Sequence, residues 1–496
     1  MATKLPKQNM FIILPPRGTV TRTETSPAVR SFLHSLAPKK AAYSLKAAKV
    51  KNAKVKVYDS VHENGAKLVH MSTKTMASLK STEPGIRVCP LVYYKKAAAP
   101  RATLTKKIKK ASAASAGISI KLVSKNSNSP VAGATIVAFT DFVNRTGDSG
   151  KTNKSGIVKL ALKKGDKIQR LYIYPEKDYW GMLKRNLTAS ENMEYKLEAI
   201  DLSADDSLRH FYKNKKLPAA KYKIKVGVLD TGSGPHPDLV ISGGMNCVLG
   251  EEPKDYNDNG DGHGSHVAGI IGAHGKPPQG IRGVAPGVII NSYRIFGKGK
   301  DGATNFDIVK AIDKAVADGC DILNMSFGGG PADPAVQEAI ADAFDKGTIS
   351  FVATGNEDRS EVSFPASYSL SIAVSAMGRK GLFPDGTTHT DTVAKPFGKD
   401  KKNFIASFSN IGPEVDFTGP GVAVVSTVPG GYAAMDGTSM ACPAATGIAA
   451  RYLAANPSLM NKTRNQNRSV SMIKLLSKKA KLLGFGVEHE GNGIIL

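Results

Sequence analysis

Val226-Gly-Val-Leu-Asp-Thr-Gly232 sets a short apolar run directly before an acidic residue and a turn. The run 224–229 reads as a buried strand, so Asp230 falls at its C-terminal end. That edge is where ligands bind in open α/β sheets. Similar apolar runs recur at 288–295, 322–325 and 348–353. The amphipathic stretches 306–318 and 334–346 have helical spacing and lie between them. Alternation of this kind predicts an α/β fold with a doubly wound parallel sheet from about residue 205 to the end. An aspartate at a strand end is, taken singly, as well explained as a structural cap.

Two further motifs lie in the same region. Asp261-Gly-His-Gly-Ser-His-Val-Ala-Gly269 places His263 between glycines, ahead of a helical pattern at 267–271. Flanking glycines let a ligand come close to the imidazole. His263 and His266 could suggest a metal, but no third ligand follows at zinc-protease spacing. Gly437-Thr-Ser-Met-Ala-Cys-Pro443 sets Ser439 at an expected helix start, where the free N–H groups favour developing negative charge.

In the order Asp, His, Ser, with separations of 33 and 176 residues, these motifs resemble the subtilase family of serine proteases. The resemblance spans roughly 205–496 and includes His236-Pro-Asp-Leu239, Gly283-Val-Ala-Pro286 and Gly491-Asn-Gly-Ile494. It implies Ser439 as nucleophile, His263 as general base and Asp230 as the group that orients the imidazole. Val352-Ala-Thr-Gly-Asn-Glu357 is similar to the family's oxyanion segment, which puts Asn356 in that role.

The resemblance also sketches a cleft. Ser326, Phe327, Gly328 and Gly329 would pair with an extended substrate backbone. Ala353, Thr354, Gly355 and Ser363 would border the P1 pocket. No acid is evident at these positions, so an apolar P1 residue is expected. The chain departs from the pattern at Ala444, where the family usually has His, at Ser265 for Thr, and at 380–402, which reads as an inserted surface loop. No metal ligand set is assigned and no cofactor is required for catalysis. Structural calcium is poorly supported, because 276–282 lacks Asn or Asp ligands. The loop 255–261 reads instead as a polar lead-in to His263.

The N-terminal part differs in composition. Residues 1–200 carry 37 Lys and Arg against 12 Asp and Glu, while the remainder carries 31 against 30. This basic half suggests an anionic surface or nucleic acid as partner, against a simpler solubilising role. The run 101–110 lacks the interleaved aromatics that base stacking needs. Residues 9–95 read as a small α+β unit with a helix at 73–81 and a last strand at 88–94. It is similar to the subtilase inhibitory propeptide, which implies an intramolecular inhibitor and an autoprocessed zymogen. Residues 96–116 read as an exposed basic linker. Residues 117–199 read as a β-sandwich with strands at 118–123, 134–140, 156–162 and 171–174, and turns at 125–130 and 146–155. It resembles the carboxypeptidase-regulatory-like modules.

Four cysteines spread along the chain give neither a disulfide framework nor a zinc pair. No apolar run approaches a membrane span. Residues 1–20 do not read as a secretory signal, so the expected location is the cytoplasm or a route without a cleavable N-terminal signal. Two alternatives to hydrolysis stay open: a peptide ligase or macrocyclase on the same fold, and a non-catalytic scaffold.

Overall fold

A computed structural model describes residues 6, 8–15, 43–44, 54–82, 86–99, 101–108, 117–213 and 220–496. The C-terminal part is built on a sheet whose parallel core runs in the order Ile241–Asn246, Ile289–Arg294, Lys225–Asp230, Ile322–Met325, Ile349–Ala353, Ser371–Arg379. Val415–Pro420 extends it in parallel, and Asn403–Ala406 and Val393–Phe397 close it antiparallel. The central strands are apolar along their length because helices cover both faces. Helix Thr438–Ala454 is buried along almost all of its length and packs against this sheet and against helix His263–Gly272. Asn305–Ala317 and Pro334–Asp345 cover the opposite face, capped by Thr304 and Asp333 side chains that accept backbone N–H groups.

Residues 10–90 contribute a five-stranded antiparallel sheet in the order Tyr43–Ser44, Lys54–Ser60, Lys67–His70, Met10–Leu14, Arg87–Pro90. Alternation gives the sheet two apolar faces. Ile13, Val55, Val57, Val69 and Val88 face Leu79 of helix Thr73–Thr82. Met10, Ile12, Leu14 and Leu68 join the core beneath helices Asn305–Ala317 and Pro334–Asp345. Lys310 to Asp59 at 2.7 Å and Asn305 Nδ2 to the Pro90 carbonyl at 3.1 Å fasten the edge. Parts of the 9–95 reading lie outside the described residues.

The sandwich carries Met182–Thr188, Lys167–Tyr174, Thr135–Asp141, Thr146–Lys151 and Lys106–Lys107 in one sheet. The other sheet holds Ile157–Leu160, Ile118–Ser124 and Asn192–Leu197. Their facing side chains, among them Ile120, Ile136, Leu171 and Leu197, form a separate core.

Four expectations need correction. The strand expected at 88–94 is two strands: Arg87–Pro90 stays in its sheet, whereas Tyr93–Lys96 leaves it for the C-terminal part. Residues 100 and 109–116 of the expected linker lie outside the described residues; of the rest, Ala97 is buried and Lys106–Lys107 pairs with the sandwich. The turn expected at 146–155 is mostly strand Thr146–Lys151. The loop at 380–402 is likewise structured, with a short 3-10 helix Thr388–Thr392 and a buried His389.

Candidate active site

The three motifs converge at the C-terminal edge of the parallel sheet. Asp230 ends strand Lys225–Asp230, and its Oδ1 lies 2.7 Å from His263 Nδ1, with both side chains buried. His263 opens its helix behind Gly262, whose φ of 87° is a left-handed conformation suited to glycine. Asp258 clamps this entry. Its Oδ1 accepts from the N–H groups of Gly260 and Gly262, and its Oδ2 from the Ser265 hydroxyl. The loop 255–261 therefore spends its oxygens on positioning. His266 Nε2 donates towards the carbonyls of Val424 and Ala433, at 3.1 and 2.9 Å. Burial pulls its pKa down to about 3, so it is neutral and structural.

Ser439 lies in the first turn of helix Thr438–Ala454. Its hydroxyl donates to the Ser326 carbonyl at 3.0 Å, and His263 Nε2 has no hydrogen-bond partner among the described residues. The Ser439 N–H donates to the Ala97 carbonyl at 3.1 Å, and Asn356 Nδ2 donates to the same oxygen. Asn356 Oδ1 is fixed by the N–H and hydroxyl of Thr438, at 2.9 and 3.0 Å. Two donors thus converge on one carbonyl oxygen beside a serine hydroxyl.

The segment that presents Ala97 is held as a strand. Tyr93–Lys96 lies antiparallel between Gly302–Thr304 and Phe327–Gly328. The Ala97 N–H donates to the Ser326 carbonyl at 3.0 Å. Gly437, at φ 151°, makes room for it. A Cβ there would sit 2.8 Å from the Ala97 carbonyl oxygen and 3.2 Å from Ala98 Cα. Four of the expected cleft residues, Ser326 to Gly329, line this strand or its end. Ser363 Oγ donates to the Thr354 carbonyl at 3.1 Å and stands over Gly328, which brings Ala353–Gly355 and Ser363 to one wall.

The subtilase family model matches residues 221–490, more than half of the chain. The chain belongs to the subtilase family. It is 35% identical over 269 residues to subtilisin DY of Bacillus licheniformis, covering 52% of this chain and 88% of that protein. It is 36% identical over 239 residues to subtilisin BL of Lederbergia lenta, covering 48% and 79%. Subtilisin Savinase of the same organism is 35% identical over the same shares. This subtilase is a subtilisin-like serine endopeptidase, and a protease of this family acts on protein or peptide substrates.

Subtilases need no cofactor for catalysis, though many hold structural calcium. Among the described residues no three His, Cys, Asp or Glu side chains cluster around a cation position. Asp238, the carboxylate nearest to 276–282, already accepts from the Ile281 N–H and the Tyr432 hydroxyl, at 2.8 and 2.9 Å. A calcium ion takes six to eight oxygens, and residues 276–282 carry no Asn, Asp or Glu side chain. All four cysteines are buried and unbridged. No helix among the described residues is long and apolar enough to cross a membrane.

Several cleft residues escaped the sequence reading. Gly302–Thr304 supplies the second pairing edge but carries no motif. Tyr94 is fully buried beside Phe327, with ring centroids 6.1 Å apart, and its hydroxyl donates to the Pro331 carbonyl. A Cβ on Gly330 would lie 2.5 Å from that ring, so this glycine opens the pocket. Asp261 pairs with Lys96, one residue before Ala97. Glu357 stands at the wall formed by Gly329 and Gly355, where its Oε2 accepts from Asn410 Nδ2 at 2.6 Å. The only sequence signal for Asp261 and Glu357 was their adjacency to the His263 and Asn356 motifs.

The Asp261 pair gives a pH-dependent expectation. Burial raises the Asp261 carboxyl, but the Lys96 ammonium and the neighbouring His263 outweigh it and hold the group below its ordinary range. A carboxyl depressed in the complex stabilises that complex above its free pKa, and the gain is lost as pH falls through the bound value. A fragment ending at Ala97 is therefore expected to bind the rest of the chain more weakly on acidification below about pH 4. Titration of wild type against Asp261→Asn checks this: the variant should show the smaller pH dependence.

Proposed function

We propose that this subtilase cuts its own chain between Ala97 and Ala98 through Asp230, His263 and Ser439, and that the released N-terminal unit is first its inhibitor. The single observation that carries this reading is the Ala97 carbonyl oxygen, which receives both the Ser439 N–H and the Asn356 amide. In the proposed reaction the Ser439 hydroxyl swings from Ser326 to His263 Nε2 and gives up its proton. Ser439 Oγ then bonds to the Ala97 carbonyl carbon, and charge develops on the oxygen held by the two donors. His263 passes the proton to the Ala98 nitrogen as the C–N bond breaks, and water later releases Ala97 from the ester. Asp230 holds the imidazole with Nδ1 protonated throughout.

The same register assigns subsites: Ala97 at P1, Lys96 at P2 beside Asp261, and Tyr94 at P4 beside Phe327. The preferred substrate is an extended chain with a small apolar P1, a basic P2 and an aromatic P4. Before the cut, Tyr93–Ala97 fills the cleft, and the sheet of residues 10–90 rests on two protease helices. Both features support the inhibitor role. The two-sheet arrangement at 117–197 supports the likeness to carboxypeptidase-regulatory-like modules.

A Tyr-Lys-Lys-Ala reporter with a chromogenic leaving group tests the assignment on the processed protein. Hydrolysis is expected, and it should weaken when the P4 Tyr is replaced by Gly. Hydrolysis that ignores both P4 and P2 would contradict the subsites. Asn356→Ala is expected to slow scission of the Ala97–Ala98 bond about 10²–10³-fold, because one oxyanion donor is lost. Time courses of the cut in wild type and variant measure that ratio.

A further inference from the structure

A sandwich sheet with one face on its core normally turns polar residues outwards. Here the outer face of the larger sheet is apolar and aromatic. In Thr135–Asp141 the inward residues are Ile136 and Ala138, yet the outward Val137 and Phe139 are buried too. In Lys167–Tyr174 the outward residues are Tyr172 and Tyr174, stacked at 5.9 Å. What covers this face is the chain just beyond the proposed scissile bond. Ala102 and Leu104 pack on it, the Ala102 N–H donates to the Tyr174 hydroxyl at 3.0 Å, and Arg101 lies over the Tyr174 ring. Lys106–Lys107 then adds as a parallel strand beside Thr146–Lys151, and Ile108 donates its N–H to the Gly147 carbonyl.

The same sheet is locked to the protease next to the active site. Asp391 accepts from Arg170 and the Tyr172 hydroxyl and pairs with Arg185. Trp180 meets His389 edge-on, and His389 Nδ1 lies 2.7 Å from Asp436 Oδ1. The Asp436 carbonyl accepts the Ala99 N–H at 2.9 Å, two residues past the bond. The described segments Ala98–Ala99 and Arg101–Ile108 are therefore gripped at the protease end by Asp436 and at the far end by the sandwich.

We infer that the outer face of the β-sandwich is a primed-side substrate surface, which binds an extended polypeptide carrying apolar residues at the fifth and seventh positions after the scissile bond. This chain's own Ala102 and Leu104 occupy it and set the register of the Ala97–Ala98 bond. The inference rests on the proposed cut at that bond. A two-sided grip removes the freedom of the departing strand and holds the reacting carbonyl near the nucleophile.

The test uses the full chain with Ala102→Asp plus Leu104→Asp, changes in a half-exposed segment outside the inter-sheet core, and separately Tyr174→Ala. Scission of Ala97–Ala98 is expected to slow about 10-fold or more in the double variant, and less in Tyr174→Ala. Once processed, each protein should hydrolyse the short Tyr-Lys-Lys-Ala reporter, which has no primed residues, at the wild-type rate. Unchanged scission in the double variant overturns the inference while leaving the catalytic reading intact. If wild type cleaves neither its own chain nor the reporter, the catalytic reading falls and takes the inference with it. A matching loss of reporter hydrolysis in the processed variants would mean general damage and would overturn the primed-side role.

Discussion

Ser439→Ala is expected to slow scission of the Ala97–Ala98 bond about 10⁶-fold, the scale seen when subtilisin loses its nucleophile. Oxyanion donors and bound substrate remain in such a variant, so the loss is that of covalent chemistry alone. The Ser439 N–H and the Asn356 amide would still hold the Ala97 carbonyl. The variant should therefore keep its N-terminal unit docked and its thermal unfolding little changed. Single-turnover assays of the cut, beside a melting curve, separate these outcomes. A fast cut in the variant would remove Ser439 from the reaction.

Asp230→Asn is expected to cost about 10⁴-fold in the same assay while the fold persists. The Asp230 carboxylate accepts from His263 Nδ1 at 2.7 Å, which leaves Nε2 unprotonated for the proposed transfer from Ser439. An amide at that position can instead donate to Nδ1 and favour the tautomer with Nε2 protonated, which cannot take a proton from the hydroxyl. The Asp230 side chain is fully buried and its Oδ1 also accepts the Thr231 N–H. The exchange is nearly isosteric, so the loss should fall on rate rather than on substrate binding. A variant with wild-type rate would mean that the tautomer is fixed by some other group.

The parallel sheet and the three motifs were legible because their signals are local. An apolar strand ending in Asp230, and glycines beside His263, carry their meaning within a few residues. The four expected strands of this part lie within one or two residues of those observed, for example 322–325 and Ile322–Met325, whereas the helical pattern at 267–271 begins four residues inside His263–Gly272. What stayed hidden depends on partners distant in sequence. Tyr93–Lys96 has ordinary strand character, and nothing in its pattern says that it pairs with Gly302–Thr304 rather than with its own sheet. Thr146–Lys151 reads as a turn because it is rich in glycine. Yet a Cβ at Gly147 would sit 1.9 Å from the Ala138 carbonyl oxygen, and one at Gly150 would strike Val158. Close approach inside the sandwich demanded those glycines, and sequence reading took them for turn formers.

The loop at 380–402 misled for a related reason. Its lysines and aspartates suggested a solvated surface, and many of them are surface residues. His389 and Asp391 are instead the groups that meet the sandwich, through Trp180 and through Arg170, Tyr172 and Arg185. Charge composition alone does not tell a solvated loop from one whose charges are paired across an interface. The excess of positive charge in residues 1–200 is likewise compatible with interdomain pairing. Arg170, Arg185 and Lys96 each meet an acidic group of the protease part. A nucleic-acid or membrane partner for this half stays a proposal, and a steep salt dependence of binding would be its signature.

In the proposed reaction a nucleophilic Ser439 acts on this chain's own Ala97 carbonyl. Intact mass of the purified wild-type chain, followed over hours, tests it most directly. Two fragments are expected, one ending at Ala97 and one beginning at Ala98, which accumulate together and are absent from Ser439→Ala. A wild-type chain that stays whole, or one cut only at another bond, would contradict it.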